Sequence, residues 1–173
     1  MKKTLIFGLT SLLLLTGGCG KTENEIVNNE NIKYTNKYEC SRIEKYTVMQ
    51  MKMKTGYFPN DENISNSENS VETNISHIYD FSSDGKKLLS YYDEVTYKYL
   101  TNYDMDKQKE YFEQECENID KKTYKKCTVS VSNDSIKVTS EVNLDSEESK
   151  SYLTNVTLDE VKENYAESTY TCK

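Results

Sequence analysis

Apolar and polar positions alternate with a period of two along most of the chain, and the interruptions of that rhythm mark its turns and helices. Thr47, Met49, Met51 and Met53 fall on one side of an alternating stretch that starts at Glu39, with Tyr46, Val48, Gln50 and Lys52 on the other, so a first strand is predicted there. The polar run Thr55 to Ser70, which holds the only proline, predicts a long connection. Val71, Thr73, Ile75, His77, Tyr79 and Phe81 alternate again, and Ser82-Ser83-Asp84-Gly85 supplies the turn residues of a hairpin. The returning strand carries Leu89, Tyr91, Val95, Tyr97 and Tyr99 on one side, with Asp93 breaking the apolar series.

After Tyr103 the spacing lengthens. Met105, Phe112, Cys116 and Ile119 lie near one helical face, Asp104 stands where an N-cap is expected, and Lys121, Lys122, Lys125 and Lys126 stand at the expected helix end. Cys127, Val129 and Val131, then Ile136, Val138, Val142 and Leu144, flank Ser132-Asn133-Asp134-Ser135 as a second hairpin. Asp145 to Ser151 reads as a charged turn. Thr157 and Glu160 form a capping box ahead of Leu158, Val161 and Tyr165, and Ser168 to Cys172 finishes as an edge strand. The predicted class is α+β: an antiparallel sheet of hairpins with two helices packed on one face.

The front of the chain follows a different rule. Lys2 and Lys3 precede an apolar run from Leu5 to Leu15, and Thr16, Gly17 and Gly18 lead to Cys19, the layout of a secretory signal. The apolar run falls short of the roughly 20 residues that a membrane-crossing helix needs. Leu15-Thr16-Gly17-Gly18-Cys19 resembles the lipobox of bacterial lipoproteins. The resemblance implies a diacylglycerol thioether on Cys19, cleavage before it, and a mature protein on the extracytoplasmic face of the cell membrane. The expected organisation is a signal peptide over 1–18, a flexible tether over 19–37, where few large aliphatic residues occur, and one domain over 38–173.

Charge narrows the partners. Of the 22 basic residues Lys2 and Lys3 leave with the signal, so 20 remain against 29 acidic ones, a balance of −9. Such a chain repels phosphate backbones, and nucleic acid is excluded as a partner. Cys40, Cys116, Cys127 and Cys172 remain once Cys19 is acylated, an even number that suits an oxidising compartment and permits three pairings. Cys116 and Cys127 lie on the apolar sides of a helix and the next strand, which favours one bridge between them and, by elimination, a second joining Cys40 to Cys172. Without any CxxC pair, and with one histidine distant in sequence, no metal site or cofactor is expected.

The remaining candidates are weak on their own. His77 sits among apolar neighbours with neither an orienting acid nor an activated nucleophile signalled, so no catalytic residue is assigned. Asp93 needs a partner, a bulge or an edge, because an unpaired carboxylate is expensive to bury. Asp145-Ser146-Glu147-Glu148 lacks the spacing, glycine and closing glutamate of a calcium loop. The four lysines between 121 and 126 suit the negative end of a helix. Tyrosine is abundant, 15 residues against 4 phenylalanines. If Tyr91, Tyr97 and Tyr99, with neighbouring Tyr92 and Tyr103, faced water, they would form a platform for a glycan or peptide.

The lipobox, Asp80 to Leu89 with its long returning strand, the helix after Asp104, the second hairpin and the Leu158–Tyr165 helix together resemble the YehR-like small lipoproteins, a family without an established activity. The function expected is therefore that of a lipid-anchored envelope protein, non-catalytic, binding a glycan or a protein. A spacer or assembly subunit, or an envelope hydrolase built on His77, are the alternatives.

Overall fold

The computed structural model describes residues 22–28, 31–61 and 63–173; the signal sequence and Cys19 lie outside them. Its class is α+β. The strands are β1 (Thr22–Asn28), β2 (Asn31–Thr47), β3 (Asn69–Ser82), β4 (Leu88–Tyr99), β5 (Tyr124–Val131), β6 (Ser135–Val142) and β7 (Thr171–Cys172). The helices are α1 (Val48–Thr55), α2 (Met105–Glu117), α3 (Glu147–Leu153) and α4 (Leu158–Tyr165). All pairings are antiparallel, in the order β1-β2-β3-β4-β6-β5, and β7 joins the β1 side of β2 at Cys40 and Ser41.

Both expected hairpins form. The turn of the first depends on Gly85, whose φ of +70° favours glycine and where a Cβ would stand 3.2 Å from Cβ of Leu158. The Gly85 carbonyl accepts from the Leu158 amide at 2.8 Å, so this turn seats the start of α4. Asp104 caps α2 through the Lys107 amide, and Thr157 with Glu160 makes the expected capping box.

Three expectations give way. The methionine stretch is a helix: Thr47 and Gln50 form a capping box, Val48, Met51 and Thr55 turn inward at helical spacing, and Gly56 closes the last turn at φ +82°. The charged segment at 145–151 is mostly helix too, with Ser146 as N-cap and Glu147 and Glu148 in the first turn, where the helix dipole favours negative charge. There are thus four helices among the described residues rather than two. The stretch expected to be a tether carries β1 and the beginning of β2, whose Thr22–Asn28 and Asn31–Lys37 pair with each other. Backbone ladders need no apolar side chains, which is why composition did not announce them.

One face of the sheet is covered and the other is open. On the covered face the apolar residues divide into two clusters. The first contains Tyr38, Tyr79, Phe81 and Tyr91 under Leu153 of α3 and Leu158 and Val161 of α4. The second contains Val71, Tyr97, Tyr99 and Ile136 under Met51 of α1 and Phe112 of α2. Disulfides join Cys40 to Cys172 and Cys116 to Cys127, with Cα separations of 4.0 and 5.3 Å.

Candidate partner-binding site

Strand register lays a single row of side chains across the covered face. Cys172 is opposite Cys40, Cys40 opposite His77, His77 opposite Asp93, Asp93 opposite Ser140, and Ser140 opposite Cys127. The row runs between the two apolar clusters and has a disulfide at each end. It explains the polar interruption at Asp93, which is neither bulged nor at an edge. Oδ1 of Asp93 accepts from Nδ1 of His77 at 2.6 Å and from the Tyr91 hydroxyl at 2.8 Å, while Oδ2 accepts from Tyr124 at 3.1 Å. A proton on Nδ1 leaves Nε2 of His77 as an acceptor, and the Tyr170 hydroxyl stands 3.1 Å from it.

Around this core the aromatic rings interlock. Tyr79 stacks on Tyr91 with centroids 4.5 Å apart, its hydroxyl is 3.1 Å from that of Tyr165, and the Arg42 guanidinium lies 5.0 Å above Tyr170. Burial pushes the phenols of Tyr79, Tyr91, Tyr124 and Tyr165 up, because a phenolate has no water there. His77 does meet a carboxylate, which sequence reasoning did not find. Both its ring nitrogens are occupied, and the nearest cysteine in the row, Cys40, is oxidised. The arrangement holds three strands and the chain end together.

The tyrosine platform is not there. Tyr91, Tyr97 and Tyr99 are buried because the strand positions they occupy point to the same side as Ile75 and Ile136, and Tyr103, in the connection before α2, is buried against Tyr99 with its hydroxyl 2.9 Å from that of Ser70. Tyr97 stacks on Phe112 at 4.5 Å, and the Tyr99 hydroxyl donates to Oε1 of Gln108 at 3.1 Å. The lysines at 121–126 follow α2 rather than end it. Lys121 reaches the Cys116 carbonyl at 3.4 Å, in keeping with the helix-end account, and Lys125 pairs with Glu141 at 3.2 Å. Among the described residues no three or more His, Cys, Asp or Glu side chains converge in a way that would hold a metal ion.

Exposed apolar side chains collect elsewhere, at the end of the sheet where β2 and β4 finish and β3 begins. Met49 and Met53 stand one turn apart on α1, and Met53 is 73% exposed. Phe58, in the loop after α1, and Leu100, just past β4, are each 48% exposed. The loop is not loose: the Asn60 amide donates to the Asn102 carbonyl at 2.6 Å, and the Val48 and Met49 amides donate to the carbonyls of Glu68 and Asn66. Lys52 lies 4.6 Å over the Phe58 ring, and Val131, at the end of β5, is also exposed at this end. Ile43, the other large exposed apolar residue described, is level with Val131 to within one residue along the strands but points to the open face. The missed signal was the capping box Thr47-x-x-Gln50, which makes a helix of the methionines and turns two of them outward.

A family model described as the A-macroglobulin receptor binding domain matches residues 42–114, under half of the chain. This is a different family from the one the lipobox and hairpins resemble. The matched stretch spans the end of β2, α1, β3, β4 and most of α2, and all four bridging cysteines fall outside it. No curated protein and no solved structure matches the chain at a significant level.

Proposed function

We propose that this chain is a lipid-anchored, extracytoplasmic binding domain without catalytic activity, and that it holds a protein partner at the α1 end of its sheet. The observation that carries the reading is the gathering of Met49, Met53, Phe58, Leu100 and Val131 at that one end of an otherwise strongly polar chain. Methionine side chains are flexible and polarisable and suit a surface that accommodates a partner. The similarity to a receptor binding domain supports binding as the activity, and the matched residues include four of these five side chains. A protein suits the site better than a glycan, since the exposed groups are mostly aliphatic and thioether while the sheet's tyrosines are packed. The non-catalytic reading rests on His77, whose ring nitrogens both serve the row of hydrogen bonds. Membrane attachment rests on the resemblance of Leu15–Cys19 to a lipobox.

Photo-crosslinking on intact cells tests the site. A photoreactive residue at position 53 should give a discrete protein adduct that is lost in the Met49→Glu, Phe58→Glu variant, whereas one at Thr128, on the open face, should not. Equal adducts from both positions, or an adduct at 53 that survives both glutamates, would overturn it. In the same cells Cys19→Ala should abolish incorporation of labelled fatty acid; unchanged labelling would sink the anchor.

A further inference from the structure

At the opposite end of the sheet lies a cleft of about 580 Å³, between the first hairpin turn, the β5–β6 edge and the segment from α3 to α4. Val71 and Phe81, near the two ends of β3, are ten residues apart, so the cleft and the methionine-bearing end are separated by roughly 33 Å of strand. Its volume lies in the range of ordinary small-molecule sites. Leu88, Val142, Leu153 and Val156 line its apolar part, and Lys86, Lys87, Lys125 and Lys150 line the rest.

Four lysines around one cleft stand out on a chain of net charge −7. Opposing them in the lining are Glu141, which pairs with Lys125, and Asp145. Lys150 reaches Glu147 at 3.5 Å, but that carboxylate is almost fully in water, so the pair is worth little. Lys86 and Lys87 make no ion pair among the described residues. Asp84, in the same turn but outside the lining, is held ionised by the Ser82 hydroxyl at 2.6 Å and the Lys86 amide at 3.1 Å and offsets part of the Lys86 charge. Among the lining side chains themselves four lysines face two carboxylates, so positive charge predominates beside buried aliphatic side chains, which is the complement of a molecule with an apolar chain and an anionic head.

We infer that this cleft binds a single-chain anionic amphiphile, an acyl chain ending in a carboxylate or a phosphate, with the chain against Leu88, Leu153 and Val156 and the head among Lys86, Lys87 and Lys150. The test is titration of the folded, oxidised protein, followed by amide NMR, with laurate, lauryl phosphate and the neutral lauryl maltoside. Saturable binding of an anionic probe is expected, with shifts at Lys86–Ser90 and Leu153–Val156. Laurate binding the tighter assigns the carboxylate head, and lauryl phosphate the tighter assigns the phosphate. Lys86→Glu with Lys87→Glu, both on exposed side chains of the turn, should weaken the anionic probes about tenfold while the unfolding midpoint barely moves. Three results would overturn the site: no saturation by either anion, equal affinity for lauryl maltoside, or shifts confined to Met49, Met53 and Phe58. Unaltered affinity in the double glutamate variant would do so as well.

Discussion

The two apolar clusters on the covered face use similar side chains and are closed in different ways. The cluster under α3 and α4 gathers residues from Tyr38 to Cys172 and is tied by the Cys40–Cys172 bridge, whose cysteines are buried and lie 132 residues apart in sequence. The cluster under α1 and α2 draws on residues 51 to 136, and its neighbouring bridge, Cys116–Cys127, spans 11 residues and is partly exposed. One half is therefore completed by the end of the chain returning to near its beginning. The other is closed by elements adjacent in sequence. The contrast implies that order in the first half depends on long-range closure, where the entropy of the unfolded chain is largest.

The largest expected effect tests that directly. In the chain-entropy account, replacing both cysteines of the long bridge with alanine should cost about 5 kcal/mol, and replacing both of the short one about 3 kcal/mol. Urea unfolding of the two double variants measures the difference, and hydrogen exchange should show Tyr79 and Phe81 losing protection first in the variant lacking Cys40–Cys172. A larger loss from the short bridge would mean that the two halves are not distinguished by closure length.

Between the halves runs the row containing His77 and Asp93, and it decides whether they act as one unit. Asp93→Asn keeps the shape but puts an amide NH2 against a hydroxyl or ring donor, so at least one of the three donors around the carboxylate loses its acceptor. The side chain is about a quarter exposed, so water relieves part of the penalty, and a loss of about 2 kcal/mol is expected from urea unfolding. If the row couples the halves, the variant should also broaden the transition or split it by probe. A single transition at wild-type stability would show that the row only fills the seam.

How far the sequence announced these parts follows from what each depends on. The 71–99 hairpin was legible because a half-buried antiparallel strand writes its register into alternation, and the Asp104 and Thr157 caps were legible because capping is local chemistry. The pairing of His77 with Asp93 was within reach: the two stand equally far from Gly85, so a symmetric hairpin sets them opposite one another. The continuation of the row to Cys40, Ser140 and Cys127 needed the order of strands, which no local pattern contains. In α1, alternating methionines suit a strand as well as a helix, and only the Thr47–Gln50 pair separates the two. The lysine-lined cleft brings together positions 86, 125 and 150, distant in sequence and unremarkable one by one.

The smallest expected effect concerns polar burial in the second cluster alone. Gln108 is fully buried on α2; its Oε1 accepts from Tyr99, and its Nε2 has no hydrogen-bond partner among the described residues. Gln108→Leu removes that stranded amide and also strands the Tyr99 hydroxyl, so its effect should stay within about 1 kcal/mol as the two contributions oppose. Tyr99→Phe alone leaves both ends of the glutamine unpaired and should cost about 1–2 kcal/mol. Combining them leaves no stranded polar atom at this contact, and the double variant should recover to wild-type stability or slightly exceed it. Because the first cluster contributes nothing to this contact, the cycle should read the same in the variant lacking Cys40–Cys172. A changed coupling energy there would mean that the halves communicate through more than the His77–Asp93 row.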